Sequence, residues 1–386
     1  MGNFTQNAFV DNRNLNRNSG IELLKLLAIY AIVVAHVTYT LTSFNPFVPW
    51  DDYVIDVSVA SADIINIILI VLRTFGAFGD FVFFLCSAWF LLDNDEVKEE
   101  KELKLIFDIW LISVVICFIV FLERKGNIDT GLLIKQFMPT WFENNWYMTC
   151  YLLFYPIHGV INQSIRRMGQ EQLLLTATLL GGIYILVNFI RTSFFFSEII
   201  LWISIYYVVG YLKKYTPRLA QDVKINFAIA LVGIIGNVGL IVTTKLLDAH
   251  FGALSVKMIL SNYICSPFLM MASVGLFNIF RSLKFSNHVI NYISGLSLFI
   301  YVIHENMLLR ILYRPILWHM IYSLFGYKMV LLWVFILSIV VFLFGVISSY
   351  FYRHTLEHLT IRASSYFMPK IKTIYGRYEK TMMKLR

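Results

Sequence analysis

The sequence predicts an all-α integral membrane protein that crosses the bilayer about ten times. Its 386 residues are 58% hydrophobic and 15% charged, with a mean hydropathy of +0.69, which is far more apolar than soluble globular domains. Apolar runs of spanning length recur along most of the chain. Lysines and arginines cluster in the segments between alternate runs. These three observations place the chain in a membrane, where lipids surround it.

Ten apolar runs are long enough to form spanning helices. They fall at about 21–42, 76–92, 105–122, 146–162, 172–190, 196–212, 225–244, 258–280, 289–309 and 329–352. With the N-terminus inside, the inner loops hold most of the cationic residues and the outer loops hold an acidic cluster, so we predict N-in and C-in. Residues 45–75 contain a shorter apolar run, DIINIILIVL, which fits a re-entrant or an interfacial piece.

This pattern divides the chain into three segments. They are a cytoplasmic N-terminal segment at 1–20, a single integral-membrane domain at 21–352 and a basic cytoplasmic tail at 353–386. The tail interleaves basic residues with aromatic residues and methionines, which is typical of an interfacial helix on anionic lipid; a disordered tail is the alternative. Because no aromatic-basic motif accompanies the net charge of +8, nucleic acid is not an expected partner. The four cysteines lie singly in apolar runs, which indicates buried thiols and neither disulfides nor a metal site.

The first apolar run, IELLKLLAIYAIVVAHV, contains three ionisable residues, Glu22, Lys25 and His36. Such groups are expensive in lipid and are usually retained for a task. The eleven residues from Lys25 to His36 turn through three circles plus roughly 20°, which places both side chains, with Glu22, on one helix face. His36 is a candidate general base, Lys25 a candidate phosphate contact, and Glu22 its i,i+3 partner. The alternatives are a histidine that only bonds a neighbouring helix and a lysine that only snorkels.

Two further runs contain candidate contact residues. In the second run, Ser87 precedes Ala88, and this small pair lets a helix or a ligand approach closely. Ser87 is a weak candidate for a nucleophile, because no oxyanion-hole motif surrounds it. The fourth run starts with WFENNWYMTCYLLFYP, which combines Asn145 with Trp146 and Tyr147. An aromatic belt at the membrane interface explains the rings, whereas amides beside stackable rings indicate contact with a sugar.

The ninth run ends in IHENMLLR, which places His304, Glu305, Asn306 and Arg310 where the predicted helix reaches the outer face. A solvated helix end is the simple interpretation. His304, however, lies at about the same depth as His36, so we expect the two histidines to share one pocket. Glu305 is then a catalytic candidate, and Asn306 and Arg310 are candidate substrate contacts.

Together these segments resemble acyltransferase family 3, a family of integral-membrane O-acyltransferases. The likeness rests on Glu22, Lys25 and His36, and on the segments FVFFLCSAWFLL, NNWYMTCYLLFYP and SLFIYVIHENMLLR, and it extends over essentially the whole chain. NWY with IHEN looks most like the Gram-positive surface-polysaccharide O-acetyltransferases. The chain departs from the family where Lys25 replaces the more usual arginine and where Ala88 replaces the usual glycine. The loop after the second helix offers lysines in place of paired arginines.

The resemblance implies an enzyme of the plasma membrane that acts on the cell envelope. It implies transfer of an acetyl group from cytosolic acetyl-CoA, the cosubstrate, to a hydroxyl of a surface polysaccharide or its lipid-linked precursor. His36 then takes the hydroxyl's proton, His304 and Glu305 orient His36 or the acceptor, and the donor's phosphates rest on Lys25; transfer is direct or passes through an acetyl-enzyme. The main alternative is a secondary transporter or a flippase of lipid-linked glycan, although broken helices and paired repeats are not apparent in the sequence. A sensory or scaffold membrane protein is a third possibility.

Overall fold

The computed structural model consists of helices joined by short connections, so the all-α prediction is confirmed. It describes residues 18–43, 52–57, 63–142, 145–190, 197–216, 218–251 and 266–384. Five helical segments in this part of the chain are long and apolar enough to cross a membrane, and they are Ser19–Leu41, Ile64–Leu91, Glu99–Glu123, Val223–Leu247 and Tyr327–Thr355. The count of ten spans and the orientation stay predictions. Most of the predicted segment 1–20 lies outside the described residues.

The first helices of the described chain surround the N-terminal span. They are α1 (Ser19–Leu41), α2 (Ile64–Arg73), α3 (Phe75–Leu91), α4 (Glu99–Glu123), α5 (Thr130–Phe137), α6 (Trp146–Phe154) and α7 (His158–Arg167). Asn18 caps α1, because its side-chain oxygen accepts a hydrogen bond from the Gly20 N–H. Only Thr74 separates α2 from α3, so the short apolar run joins the second span, and the expectation of a separate re-entrant or interfacial piece is wrong.

The predicted continuous span at 146–162 is broken in the structure. Helix α6 ends at Phe154, and a 3-10 turn over Tyr155–Ile157 precedes α7. Pro156 lies in this turn, and proline interrupts an α-helix because it lacks an N–H and its ring clashes with the preceding turn.

The remaining helices complete the bundle. They are α8 (Gln170–Ile190), α9 (Ser197–Tyr215), α10 (Val223–Phe251), α11 (Pro267–Ser282), α12 (His288–Ser294), α13 (Ser297–His304), α14 (Met307–Leu312), α15 (Arg314–Phe325), α16 (Val330–Thr355) and α17 (Glu357–Lys384). The expected continuous helix at 289–309 is therefore wrong, because Gly295 and Asn306 interrupt it. The Asn306 side chain caps α14 by accepting a hydrogen bond from the Leu308 N–H. Such breaks are tolerated at membrane depth where the protein itself buries the backbone.

The C-terminal tail forms a helix, which supports the interfacial-helix interpretation over the disordered one; its contact with lipid stays a prediction. Helix α17 packs against α4. Lys104 of α4 lies 2.7 Å from Asp108 Oδ2 and 2.7 Å from Glu357 Oε1, and Thr360 donates a hydrogen bond to Asp108 Oδ1 at 2.6 Å. These polar contacts anchor the start of the tail to the membrane domain.

The described cysteines are buried, as the sequence predicts. They are Cys86, Cys117 and Cys150. Cys265 lies outside the described residues.

Helix α1 lies at the centre of the bundle and packs against α2, α3, α11, α12, α13, α15 and α16. Helix α3 approaches it closely at Gly79, where a Cβ atom would lie 2.6 Å from the Ala28 carbonyl oxygen and 2.5 Å from Ile32 Cγ1. No side chain fits at that separation without a shift of one helix. Gly79 therefore holds α3 beside the stretch of α1 that lies between Lys25 and His36.

Candidate active site

The first polar group of α1 is an ion pair. Lys25 Nζ lies 3.0 Å from Glu22 Oε2, which confirms the predicted i,i+3 pairing. Ser294, the last residue of α12, donates a hydrogen bond to the same carboxylate oxygen at 2.5 Å. Glu22 therefore orients Lys25 and also attaches α1 to α12.

The second polar group of α1 is His36, which contacts both His304 and Glu305 from the break between α13 and α14. His36 Nδ1 lies 3.0 Å from His304 Nε2 and 2.8 Å from Glu305 Oε2. All three residues are buried, with exposed fractions of 8%, 2% and 3% in that order. The two histidines are in contact, as expected, but neither lines the two cavities described below, so their shared pocket and their catalytic roles stay predictions.

The hydrogen bonds around these side chains assign the imidazole tautomers. His304 Nδ1 lies 2.7 Å from the Ile300 carbonyl oxygen, which only accepts, so this nitrogen bears the proton and Nε2 of the neutral ring is an acceptor. The ionised Glu305 carboxylate is also an acceptor. Because both acceptors face His36 Nδ1, that atom bears the His36 proton, and His36 Nε2 keeps its lone pair. This arrangement suits a general base.

Two arginines hold the Glu305 carboxylate. Arg310 Nη1 donates to Oε1 at 2.8 Å, and Arg314 donates to Oε2 through Nη1 at 3.2 Å and Nη2 at 3.1 Å. Arg314 Nη2 also donates to the His304 carbonyl oxygen. A buried carboxylate is unfavourable unless it is paired and hydrogen-bonded, and here two guanidinium groups and the His36 ring meet that need. Arg310, predicted as a substrate contact, is thus bound to Glu305.

A cavity of about 430 Å³ extends along the face of α1 that begins at Lys25. Its lining includes Lys25, Ile29 and Ile32 of α1, Asp80, Phe83 and Ser87 of α3, Lys101 of α4, Tyr147 and Tyr151 of α6, and Tyr301 of α13. An adjoining cavity of about 690 Å³ shares Lys25, Phe83 and Ser87 and adds Asn18 and Glu22. His36 follows Ile32 by about one helical turn. The cavities therefore lead from the ion pair toward the histidine cluster.

The predicted aromatic contacts lie on this cavity or next to it. The Tyr147 ring lines the cavity, and its centroid lies 6.1 Å from that of Tyr301. Trp146 packs edge-on against Tyr147, with 5.8 Å between centroids. Ser87 also faces the cavity, but its hydroxyl donates to the Phe83 carbonyl oxygen at 3.0 Å.

The two predicted amides are buried in different surroundings. Asn306 caps α14 and donates to Gln136 Oε1 at 3.0 Å, so its hydrogen bonds are structural. Asn145 precedes α6, and within the described residues no group hydrogen-bonds to its buried Oδ1 atom. Of these two amides, Asn145 has the acceptor that remains available to a ligand.

The loop between α3 and α4 is fixed by ionic contacts. Asp95 accepts hydrogen bonds from Arg166 and, at 3.0 Å, from Asn162 Nδ2. The hydrogen bonds from Arg166 and then from Asn162 hold the pKa of Asp95 below its ordinary value, so the pair stays ionised at neutral pH. Beyond this loop, Lys101 lines the cavity, whereas Lys104 is neutralised by Asp108 and Glu357.

Sequence reasoning missed three residues of the site. Arg314 binds Glu305. Its spacing of four residues from Arg310 is a sequence signal that could have placed both arginines near the same carboxylate. Asp80 lines the cavity, and its signal was a carboxyl group in the otherwise uncharged α3. Gln136 bonds Asn306 from the separate helix α5, and no sequence pattern links the two residues.

His36, His304 and Glu305 also form a group whose ligand atoms lie within 4.8 Å of one another, as a metal site requires. Their contacts of 3.0 Å and 2.8 Å are hydrogen-bond distances, and the tautomers given above satisfy them with protons. Arg310 and Arg314 already neutralise Glu305, so a divalent cation at the same carboxylate would be repelled. The donor set thus fits a proton-transfer cluster better than a metal centre.

The charge balance at Glu305 predicts a large effect on stability. Glu305→Ala leaves Arg310 and Arg314 as buried unpaired cations, which typically costs about 3–5 kcal/mol. We expect a markedly lower unfolding temperature for the purified variant. Glu96→Ala, which removes an exposed carboxyl group 4.0 Å from Lys98, is the control and should unfold with the unaltered protein. Equal unfolding temperatures for Glu305→Ala and the unaltered protein would contradict this charge balance.

A comparison with known protein families identifies the family of this chain. The family model described as an acyltransferase domain, that of acyltransferase family 3, matches residues 18–351, which include α1, the cavities and the histidine cluster. Neither the curated proteins nor the solved structures gave a match. The family model covers most of the chain, and its members are enzymes that transfer acyl groups. The chain belongs to acyltransferase family 3 and is a membrane acyltransferase.

Proposed function

We propose that this enzyme transfers an acetyl group from cytosolic acetyl-CoA to a hydroxyl of a cell-surface polysaccharide or its lipid-linked precursor, in the plasma membrane. The contact of His36 Nδ1 with Glu305 Oε2 at 2.8 Å carries the proposal, because it leaves His36 Nε2 free to act as a base. His36 lies about one helical turn beyond Ile32, which lines the same cavity as Lys25. Family membership gives the acyl-transfer chemistry. Family membership also favours an acyltransferase over the transporter and flippase alternative. The break between α13 and α14 is a feature that transporters also have, and the sequence did not predict it.

The cavities suit a long donor with a charged end. Lys25 and Lys101 are the cations along the lining, and lysine binds phosphate as a point charge. Lys25 and His36 lie about 16 Å apart along the helix axis. The pantetheine arm of acetyl-CoA is an extended chain that separates the phosphates from the thioester, so phosphates at Lys25 allow the thioester to approach His36.

The reaction needs one base that also returns its proton. His36 Nε2 removes the proton of the acceptor hydroxyl as the oxygen attacks the thioester carbonyl carbon. The tetrahedral intermediate then collapses, the carbon–sulfur bond breaks, and the CoA thiolate takes the proton from His36. Glu305 stabilises the intervening imidazolium at Nδ1, and Arg310 and Arg314 keep Glu305 ionised.

The acceptor is proposed to bind beside Trp146 and Tyr147. Aromatic rings stack against sugars, and the Asn145 Oδ1 atom accepts a hydrogen bond from a sugar hydroxyl in this proposal. Glycan contact at these residues is supported by the partial exposure of Trp146 and by the position of Tyr147 on the cavity.

The proposed topology has ten spans with both termini in the cytosol. Besides the five long apolar helices, α8, α9 and α11 are apolar. The two broken segments, α6–α7 and α12–α14, are each proposed to serve as one span. The basic residues of the inner loops and of the tail support this orientation.

The base assignment predicts loss of activity in His36→Ala. General-base loss typically lowers the rate by about 10²- to 10⁴-fold. We expect mass spectrometry of surface polysaccharide to show no acetylation in cells that produce this variant as their only copy, at normal protein abundance. His358→Ala, which alters an exposed histidine of α17, is the matched control and should acetylate normally. Wild-type acetylation by a well-expressed His36→Ala variant would refute the base assignment.

The donor assignment predicts a raised KM for acetyl-CoA in Lys25→Ala. A hydrogen bond to a charged group is worth about 1.5–3 kcal/mol, which corresponds to about 10- to 100-fold in KM. Lys25→Arg keeps the charge and should keep much of the activity. Lys284→Ala removes an exposed lysine and should leave the KM unchanged. An unaltered KM in Lys25→Ala would remove Lys25 from the donor site.

The orientation predicts that the tail faces the cytosol. Ser365→Cys in a variant without other cysteines should resist a membrane-impermeant thiol reagent in intact cells and react after the cells are opened. Ser365 is exposed in the structure, so the reagent can reach a cysteine at this position once the cells are opened. Labelling of Ser365→Cys in intact cells would overturn the orientation and reverse the donor and acceptor sides.

A further inference from the structure

Asp80 is an intramembrane carboxyl group for which the proposed mechanism has no role. It lies in α3, FGAFGDFVFFLCSAWFL, where it is the only residue with a carboxyl, ammonium, guanidinium or imidazole group. A carboxyl group at membrane depth is unfavourable and usually marks a functional site. Asp80 shares a helix face with Phe83 and Ser87, and all three line the cavity.

The described residues offer Asp80 no hydrogen bond and no ion pair. The charged group that acts on it through space is Glu305, which has the same sign, and the neighbouring rings are those of Tyr147 and Tyr301. Asp80 is therefore no structural ion-pair partner. Its carboxyl group faces the cavity and can accept a hydrogen bond from a ligand.

The position of Asp80 along the cavity identifies the part of the ligand that reaches it. Its neighbour Gly79 packs against Ile32, one helical turn before His36. Asp80 thus lies beyond Lys25 and just short of the base. When the phosphates of the donor bind at Lys25 and its thioester lies at His36, the atoms next to the sulfur lie beside Asp80. In acetyl-CoA these atoms include an amide N–H, three bonds from the sulfur.

We propose that Asp80 accepts a hydrogen bond from the sulfur-proximal amide N–H of the pantetheine arm and so places the thioester carbon beside His36. This inference rests on the proposed use of acetyl-CoA. A carboxyl oxygen of Asp80 can accept a hydrogen bond from an amide N–H, which an ester oxygen in the same place cannot donate. Asp80 is thus a binding residue that selects amide-containing thioester donors.

The test compares acetyl-CoA with an analogue whose sulfur-proximal amide is replaced by an ester, using the full-length protein in lipid nanodiscs. The unaltered protein should lose about 2- to 10-fold in kcat/KM with the ester, because one hydrogen bond is removed. Asp80→Leu should lose a similar factor with acetyl-CoA and show little further loss with the ester. Asp80→Asn, which keeps an acceptor oxygen and the side-chain shape, should retain part of the preference for the amide.

The control is Asp93→Asn, which alters an exposed carboxyl group on the loop after α3 and should keep the full preference for the amide donor. Equal use of both donors by the unaltered protein would overturn the proposal without any variant. An undiminished amide preference in Asp80→Leu would overturn it as well, because a merely structural role affects both donors alike. Absence of turnover with acetyl-CoA in the unaltered protein would instead refute the proposed function.

Discussion

The site depends on the ionised carboxylate of Glu305, which is held inside the bundle by Arg310, Arg314 and His36. A carboxylate in this apolar setting needs compensating positive charge and hydrogen bonds. With both supplied, Glu305 can orient the His36 ring and stabilise the cation that forms when His36 takes a proton. Without the arginines, the same carboxyl group would favour its neutral form and would no longer fix the His36 tautomer.

This constraint explains the unusual backbone near the site. Glu305 lies at the break between α13 and α14, and Asn306 caps the second helix while bonding to Gln136 of α5. The break allows Arg310 and Arg314 to approach the carboxylate from the following helices. On the other side, Gly79 holds α3 against α1, so that the face with Lys25 and His36 borders the cavity. The continuous helix α1 and the interrupted segment α12–α14 thus hold the ionisable residues of the site.

The sequence predicted those features that depend on helix periodicity and hydropathy. The shared face of Lys25 and His36 follows from 3.6 residues per turn, and the depth of His304 placed it near His36. Hydropathy indicates which segments are buried but not whether a helix is continuous. The helix breaks at Pro156, Gly295 and Asn306 were therefore not predicted. The bond of Gln136 to Asn306 and the exposure of Asp80 to the cavity arise from tertiary packing, which no single-sequence pattern records.

The base role of His36 requires that its proton lies on Nδ1 and that Nε2 keeps its lone pair. The most direct measurement is the ¹⁵N spectrum of the full-length protein labelled at histidine, in lipid nanodiscs at neutral pH, with the His36 signals assigned by their loss in His36→Gln. We expect His36 to show a protonated Nδ1 that couples to its hydrogen and an unprotonated Nε2. A His36 ring protonated at Nε2 and unprotonated at Nδ1 would contradict the account, because that ring could not both bond Glu305 and accept the acceptor's proton.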